Sequence, residues 1–266
     1  MKRLSLIEHQ KVMLDILLFF DKKCRENGIQ YTLIGGSLIG AIRHKGFIPW
    51  DDDIDVGLTR KNYDKIIKIL EKEHKTYQLL KDGNGGERFA FHKLIDTRTS
   101  IIEPQLSKQC EGYGVYLDIF CFDNAPNDEK IRKKYIKRKK ILVSLFSRKK
   151  LSRTESIKQN IMRTIKNIVS VIIGYRNLNN ISAKLCAKYN NEKTEYVVSN
   201  WPLYAVEQET HKTKNFQVYV DAIFCNKTVM ISADYDEILR NTFGDYMQLP
   251  PKEQRINKHG LIAFWK

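Results

Sequence analysis

The feature that most constrains the fold is a glycine turn followed by alternating acids. Residues 30–34 (QYTLI) predict a short β-strand that the Gly-Gly-Ser run at 35–37 interrupts. Residues 54–58 predict a second strand, and at its start Asp53 and Asp55 alternate with apolar residues. Because neighbouring side chains of a strand point to opposite faces, both carboxylates are expected on one face and the apolar residues in the core.

The glycine turn is typical of a phosphate-binding loop. Gly36 lets the backbone approach an anion closely, and a helix predicted over 38–44 would direct N–H groups at that anion. The hydroxyl of Ser37 is available to a phosphate oxygen. Arg43 and His44 lie one helical turn further on and predict contacts to the diphosphate of a nucleotide, the alternative being a solvated basic surface.

The acids predict a metal site. Two carboxylates as close as Asp53 and Asp55 repel each other, and a divalent cation relieves that repulsion. A third acid, Asp118, interrupts an apolar strand predicted over 114–120. It would complete a site for Mg²⁺ or Mn²⁺, with two ions expected, of the kind that promotes phosphoryl transfer. An acidic cluster alone is as typical of a solvated loop or a helix cap, but the glycine turn and Asp118 favour the metal site.

Periodicity and turn residues place the remaining elements and predict an α+β fold. Helices are predicted over 6–27, over 60–73 and near 234–243, and strands over 88–95 and near 216–225. From residue 127 to about 189 the pattern is helical and basic. We therefore divide the chain into a catalytic core (1–126), a basic helical segment (127–190) and a C-terminal part that completes the fold (191–266).

The basic segment carries most of the net charge of +15, because residues 129–153 hold 12 Lys or Arg and a single acid. Over 129–173 this charge accompanies apolar residues at helical spacing, such as Ile161, Ile165 and Ile168. The combination predicts contact with an anionic membrane surface. The alternatives are an anionic polymer or nucleic acid, or a solvated helical hairpin that packs on the core.

Apolar runs and cysteines indicate the compartment. The longest later apolar run, residues 168–173, is far shorter than the about 20 residues that span a bilayer, and no signal peptide is evident. The five cysteines are odd in number and form no CxxC pair, which disfavours disulfides and a zinc site. We expect a cytoplasmic protein, peripheral at the inner face of the plasma membrane.

The glycine turn and the acids belong to two longer runs, residues 35–44 (GGSLIGAIRH) and 46–55 (GFIPWDDDID). These runs resemble the LicD family of the nucleotidyltransferase-fold superfamily, which includes phosphocholine transferases of bacterial surface polysaccharides. Residues 93–96 (KLID), 118–120 (DIF) and 243–251 (FGDYMQLPP) resemble later blocks of the family. The likeness spans most of the chain, although no block covers the basic segment.

The resemblance implies a nucleotidyltransferase-like mixed β-sheet core with flanking helices and a basic helical insertion. It also implies that Asp53 and Asp55 bind metal, and that Asp118 completes the site and takes a proton from the acceptor hydroxyl. The family typically has a proline after the Asp-Ile-Phe motif. This chain has Cys121 and Phe122 there, from which we expect an altered loop.

Other side chains near these motifs have two interpretations each. Lys93 is expected to contact a phosphate, whereas His92 is more typical of a structural histidine. The aromatic rings of Trp50, Trp201 and Tyr204 are candidates for caging a choline head, since ring faces attract quaternary ammonium groups. For each ring the alternative is ordinary core packing.

The function expected from the resemblance is transfer of phosphocholine from CDP-choline to a lipid-linked glycan or teichoic acid precursor. Alternatives are another CDP-linked donor, such as ribitol or glycerol phosphate, and a glycosyltransferase with a DxD motif. The glycine turn ahead of the acids argues against the glycosyltransferase. No nucleic-acid partner is expected, because the chain lacks an RNA-binding aromatic signature or a recognition helix.

Overall fold

A mixed β-sheet, seven-stranded within the described residues, organises the chain. The computed structural model describes residues 1–72, 74–80, 90–104, 112–146, 156–257 and 260–266. The strands, in chain order, are β1 (Lys2–Arg3), β2 (Thr32–Leu33), β3 (Asp55–Thr59), β4 (Tyr77–Leu80), β5 (His92–Asp96), β6 (Thr99–Ile102), β7 (Tyr116–Ala125), β8 (Tyr196–Ser199), β9 (His211–Lys212), β10 (Tyr219–Phe224), β11 (Lys227–Ser232) and β12 (Ile262–Trp265). The predicted α+β class is confirmed.

Seven α-helices accompany the strands within the described residues. They are α1 (Leu6–Glu26), α2 (Gly35–Ile39), α3 (Arg60–Leu70), α4 (Glu129–Phe146), α5 (Ile157–Ile173), α6 (Tyr175–Ala187) and α7 (Tyr235–Phe243). A π-helical turn, Gly40–His44, follows α2 directly, and short 3₁₀ turns occur at Thr213–Phe216 and Lys252–Gln254. None of the helices in the described ranges is long and apolar enough to cross a membrane.

Strand β7 is the centre of the large sheet. It pairs in parallel with β3 on one side and antiparallel with β5 and then β8 on the other. Strand β2 lies outside β3, β4 outside β5, and β9 outside β8. This register aligns Asp55 of β3 and Lys93 of β5 with Asp118 of β7. Three segments far apart in sequence therefore meet at the residues expected to carry the chemistry.

One face of this sheet is apolar. Val56 and Leu58 of β3 are fully buried and belong to the same core as Met13 and Phe20 of α1 and Ile66 of α3. Asp55, the residue directly before Val56, is half-buried. The predicted alternation is thus confirmed for Asp55, whose carboxylate lies on the face away from α1 and α3, whereas Asp53 lies ahead of the strand.

Two smaller sheets tie the C-terminal part to the core. Strand β12 lies between β1 and β6, so the two ends of the chain pair with each other. Strands β10 and β11 form a hairpin whose turn residues, Cys225 and Asn226, both have positive φ, as a tight hairpin turn requires. The predicted strand near 216–225 is β10, and the predicted helix near 234–243 is α7.

Two predictions around the motifs are wrong. The helix after the glycine turn begins at Gly35, not at residue 38, so the glycines form its first turn. Cys121 and Phe122 lie inside β7, paired with Leu58 and Thr59 of β3, rather than in an altered loop. A strand is possible there because these two residues, unlike proline, supply an N–H and fit the pleat.

Helices α4, α5 and α6 contact one another, and α6 also contacts β7. They confirm the helical nature predicted for residues 127–189, although residues 147–155 lie outside the described residues. Phe146 of α4 and Leu178 of α6 bury their side chains with Phe120 and Trp201. Helices α4 and α6 are therefore attached to the sheet through an apolar cluster that includes Phe120 of β7.

Candidate active site

Two carboxylates lie on paired residues where β3 and β7 run side by side, and a third acid lies just ahead of β3. Asp55 is the first residue of β3, and its Cα pairs with that of Asp118 on β7. Neighbouring strands are about 4.8 Å apart, so the two side chains project together from one face. Asp53 lies two residues before Asp55. The predicted position of Asp118 on a strand next to Asp55 is confirmed.

These acids perturb one another. Burial raises the pKa of Asp55 well above its usual range, and the negative charges of Asp53 and Asp118 raise it further. Burial also raises the pKa of Asp118 to about 6, against the lowering effect of Lys93. A site that makes carboxylate ionisation this unfavourable is short of positive charge.

The carboxylate oxygens of Asp53, Asp55 and Asp118 are the type of ligand that a hard divalent cation prefers. Mg²⁺ and Mn²⁺ prefer carboxylate oxygens, and a cation would relieve the repulsion that raises the pKa of Asp55. Within the described ranges, however, no three Asp, Glu, His or Cys side chains are grouped so as to hold a metal. Asp53, Asp55 and Asp118 would therefore reorient about their side-chain bonds to share an ion. Their role as metal ligands stays a prediction.

We expect Asp55→Asn to stabilise the metal-free protein at pH 7. The pKa of Asp55 is higher in the folded protein than in the unfolded chain. Above about pH 4 the unfolded chain loses this proton more readily than the folded protein, which lowers the free energy of unfolding. Asn carries no such proton, so the variant does not lose this stability. The gain, about 1 kcal/mol or more, should shrink towards pH 4, where the unfolded chain also binds the proton. Urea unfolding in EDTA at several pH values measures it. Equal stability of the two proteins at pH 7 would contradict a raised pKa of Asp55 in the folded protein.

Lys93 is built into the site. Its side chain is only 3 % exposed, and its Nζ donates to Oδ1 of Asp118 at 2.5 Å. The same ammonium lies 3.6 Å from the ring centroid of Tyr116. Lys93 therefore offsets one of the clustered negative charges, and it stands where the predicted contact with a donor phosphate would have to form.

The glycine turn positions the first acids. The hydroxyl oxygen of Ser37 accepts a hydrogen bond from the backbone N–H of Asp55 at 2.9 Å. A Cβ on Gly36 would lie 2.8 Å from a carboxylate oxygen of Asp51, so any side chain there would displace that acid. Gly35 has φ +56°, a left-handed conformation that favours glycine. In this structure the turn fixes the acidic loop, and its predicted phosphate contacts are untested.

Arg43 and His44 link the site to the C-terminal loop. The Arg43 guanidinium donates to the carbonyl of Tyr246 at 2.6 Å and, through Nε, to the His44 ring at 3.0 Å. Burial and then the charge of Arg43 lower the pKa of His44. The ring of Trp50 lies edge-on to that of His44. The three side chains are half-buried together beside the acidic loop, which is compatible with their predicted substrate contacts without testing them.

Several candidates are structural. His92 faces away from Lys93 and shares a 2.5 Å hydrogen bond with the hydroxyl of Tyr63, as expected. Trp201 packs its ring in the apolar cluster with Phe91, so core packing is the correct interpretation for that residue. Asp52 is buried and accepts from the backbone N–H of Leu261.

Two further side chains lie near the acids. The carboxylate of Glu103 contributes to the raised pKa of Asp118, and no motif marked it, because it follows an ordinary strand, β6. Burial and then the charge of Asp55 raise the pKa of Tyr204 to about 12. Of the three candidate aromatic residues, Tyr204 is exposed (42 %), whereas Trp50 is half-buried and Trp201 is buried.

Comparison with known proteins gives the family. Residues 28–158 match the family model described as LicD/FKTN/FKRP, nucleotidyltransferase domain. Over 270 aligned residues, 99 % of each chain, the protein is 32 % identical to the lipopolysaccharide cholinephosphotransferase LicD of Haemophilus influenzae. The chain belongs to the LicD family. As a member with this whole-length likeness, it is a phosphotransferase.

Shorter matches extend the comparison. The ribitol 5-phosphate transferase FKRP of Homo sapiens is 58 % identical over 31 residues, 12 % of this LicD-family chain and 6 % of that protein. A Rickettsia typhi protein, RT0683, is 34 % identical over 93 residues, about 30 % of either chain. The names of the Haemophilus influenzae and Homo sapiens relatives differ in the group transferred, choline phosphate in one and ribitol 5-phosphate in the other.

Proposed function

We propose that this protein transfers phosphocholine from CDP-choline to a hydroxyl of a bacterial surface glycan precursor and releases CMP. The acceptor would be a lipid-linked teichoic acid, capsule or lipooligosaccharide unit at the cytoplasmic face of the plasma membrane. The observation that carries the proposal is the in-register meeting of Asp55, Asp118 and Lys93, in a chain similar over its whole length to a cholinephosphotransferase.

In the reaction, the acceptor oxygen bonds to the phosphorus next to choline. The bond from that phosphorus to the bridging oxygen of the diphosphate breaks, and CMP carries the electron pair away. Asp118 accepts the proton of the attacking hydroxyl as the general base. Mg²⁺ or Mn²⁺, held by Asp53 and Asp55 with Asp118, supplies charge neutralisation at the phosphate oxygens when bound.

Basic side chains hold the anionic donor. Lys93 moves its ammonium between Asp118 and a phosphate oxygen, a short displacement for a flexible side chain. Arg43 and His44 lie beside the loop of Asp51 and face the nucleotide half of the donor, and Gly36 and Ser37 keep that loop in place.

Tyr204 and Trp50 recognise the choline head. A quaternary ammonium binds aromatic faces with about 0.5–2 kcal/mol per ring. Tyr204 is exposed, its hydroxyl senses the charge of Asp55, and Phe243 contacts its ring at a centroid distance of 5.5 Å. An acidic and aromatic surrounding attracts a cation that cannot donate hydrogen bonds.

A polyol-phosphate donor is the second candidate. The match to a ribitol 5-phosphate transferase favours it, and CDP-ribitol or CDP-glycerol would use the same acids and the same leaving group. Such donors lack the quaternary ammonium, so the aromatic surface distinguishes the two candidates.

A donor comparison tests the proposal. The purified protein with Mg²⁺ and glycan acceptors is expected to release CMP at least about tenfold faster from CDP-choline than from CDP-ribitol or CDP-glycerol, one ring contact corresponding to about 1.4 kcal/mol. CMP is measured by chromatography, with EDTA as the metal-free control. Faster release from either polyol donor would replace phosphocholine by that group.

Tyr204→Leu and Tyr204→Phe refine the result. Leu removes the ring face and should raise the KM for CDP-choline several-fold without affecting a polyol donor, whereas Phe keeps the face and should behave as wild type. An equal change for every donor would remove Tyr204 from choline recognition.

A further inference from the structure

Helix α5 has a reversed polarity, in that it exposes its apolar face and turns its polar face towards the rest of the protein. Isoleucines recur at spacings of three and four residues along one face, and they are exposed. They are Ile157 (81 % exposed), Ile161 (54 %), Ile165 (48 %), Ile168 (53 %) and Ile172 (77 %). A surface helix of a globular domain normally turns such a stripe towards the core.

The opposite face of α5 is polar and turned inwards. Asn160, Arg163 and Asn167 are half-buried, Ser170 is fully buried, and each has a polar interaction. The helix begins with a full capping box between Ser156 and Gln159, so its orientation belongs to a well-formed helix. The outward apolar face therefore belongs to a complete, capped helix and does not arise from a frayed helix end.

Exposed basic residues accompany this face on α5 and on α4, the helix that contacts it. Lys158 and Lys166 are exposed on α5 itself, and neither has an acidic neighbour on the helix. The adjoining helix α4 exposes Lys134, Lys137 and Arg138, and Ile141 of the same helix is 61 % exposed. Lysine and arginine beside an apolar stripe match the headgroups and the acyl boundary of an anionic bilayer.

A second copy of the chain fits the face less well. A 17-residue helix is about 25 Å long, and one face of it covers about 250 Å². Stable interfaces bury about 800 Å² per partner, and the basic residues of two copies would repel each other. A bilayer needs neither a large area nor a charge-matched protein partner, because lipid surrounds whatever apolar surface enters it.

We propose that α5 is a membrane-docking helix, which lies in the plane of an anionic lipid surface with its isoleucine face in the acyl boundary. Docking holds the protein where a lipid-linked acceptor is presented, but it does not depend on the transfer reaction. Failure of one can therefore be observed without failure of the other.

Flotation with lipid vesicles tests the proposal. The full-length protein is expected to bind vesicles with about 30 % phosphatidylglycerol in phosphatidylcholine at least tenfold more tightly than pure phosphatidylcholine vesicles, and less tightly at high salt. Ile161→Glu/Ile168→Glu should reduce that binding at least about tenfold, since two carboxylates would enter the apolar boundary. The matched control is Ile7→Glu/Ile223→Glu, at two isoleucines that are 66 % and 49 % exposed elsewhere.

Each outcome decides the question. Unreduced binding of the α5 variant, or equal loss in the control, overturns the assignment of α5. A wild-type dimer in sedimentation velocity that the α5 variant dissociates, without vesicle binding, assigns the face to a second copy instead. CMP release with a soluble acceptor should be unchanged in the α5 variant, whereas Asp53→Ala should still bind vesicles.

Discussion

Asp53→Ala is expected to lower the rate of transfer by at least about 10³-fold while the protein stays folded. The charge of Asp53 acts on both Asp55 and Asp118, so it belongs to the same cluster from a position just ahead of β3. Without it, a divalent cation loses one of its three expected ligands. Rates of CMP release from CDP-choline, measured with a stopped assay, give the effect.

Metal binding provides a second readout that does not depend on activity. At about 10 mM Mg²⁺ and a Kd near 1 mM, the wild type should gain about 1.4 kcal/mol, or about 4 °C in Tm. Asp53→Ala should lose this gain, whereas its Tm in EDTA should stay within about 2 °C of wild type. Asp64→Asn, at an exposed acid on α3, is the matched control and should keep both activity and metal response. Full activity of Asp53→Ala would exclude Asp53 from the site.

The elements with strong local signals could be predicted from the sequence. The apolar periodicity of α1 and the alternation at Asp55 identified α1 and β3 to within one residue at most boundaries. Short strands such as β1 and β12 could not be found, because their pairing energy comes from strands distant in the chain, and the two residues of β9 are too few to show an alternation. The length of β7 was missed for a similar reason, since its second half is stabilised by β8, about 75 residues later.

The candidate site shows the same division. Residue type and spacing made Asp53, Asp55 and Asp118 candidates, because a charged residue among apolar strand residues, such as Asp55 or Asp118, is costly unless it serves a purpose. The pairing of Lys93 with Asp118 depends on the antiparallel register of β5 and β7, which the sequence does not encode locally. Glu103 carried no signal, since its proximity to Asp118 arises only in the folded chain.

The reversed polarity of α5 could not be predicted from the local sequence, for another reason. Periodicity locates the isoleucine stripe, but a stripe is equally consistent with a core-facing helix. Only the burial of Asn167 and Ser170 on the other side shows which face meets the protein. The sequence-based membrane expectation already used the isoleucine spacing, and the structure adds that the stripe faces outwards.

Lys93→Met is expected to destabilise the protein by about 3 kcal/mol and lower transfer by about 10²-fold. The ammonium of Lys93 is buried, bonded to Asp118 and seated over the ring of Tyr116, so its removal leaves a carboxylate without its cation in a crowded acidic site. Lys139→Met is the matched control. Lys139 is as deeply buried and lies 3.9 Å from Asp123, on the other face of β7. Its loss should lower stability but leave the rate per folded molecule near wild type.

The double variant Lys93→Met/Asp118→Asn separates the two roles of Lys93. Asp118→Asn alone leaves a buried ammonium without its carboxylate, so each single change is destabilising, but in the double variant neither charge is left unpaired. The summed loss should therefore exceed the loss in the double variant by about 2 kcal/mol in urea unfolding. Transfer should not recover, because the proton acceptor and the expected phosphate contact are both absent. If the two losses simply add, the ion pair does not stabilise the protein in solution. If transfer recovers with stability, Lys93 acts on the reaction only by holding the fold.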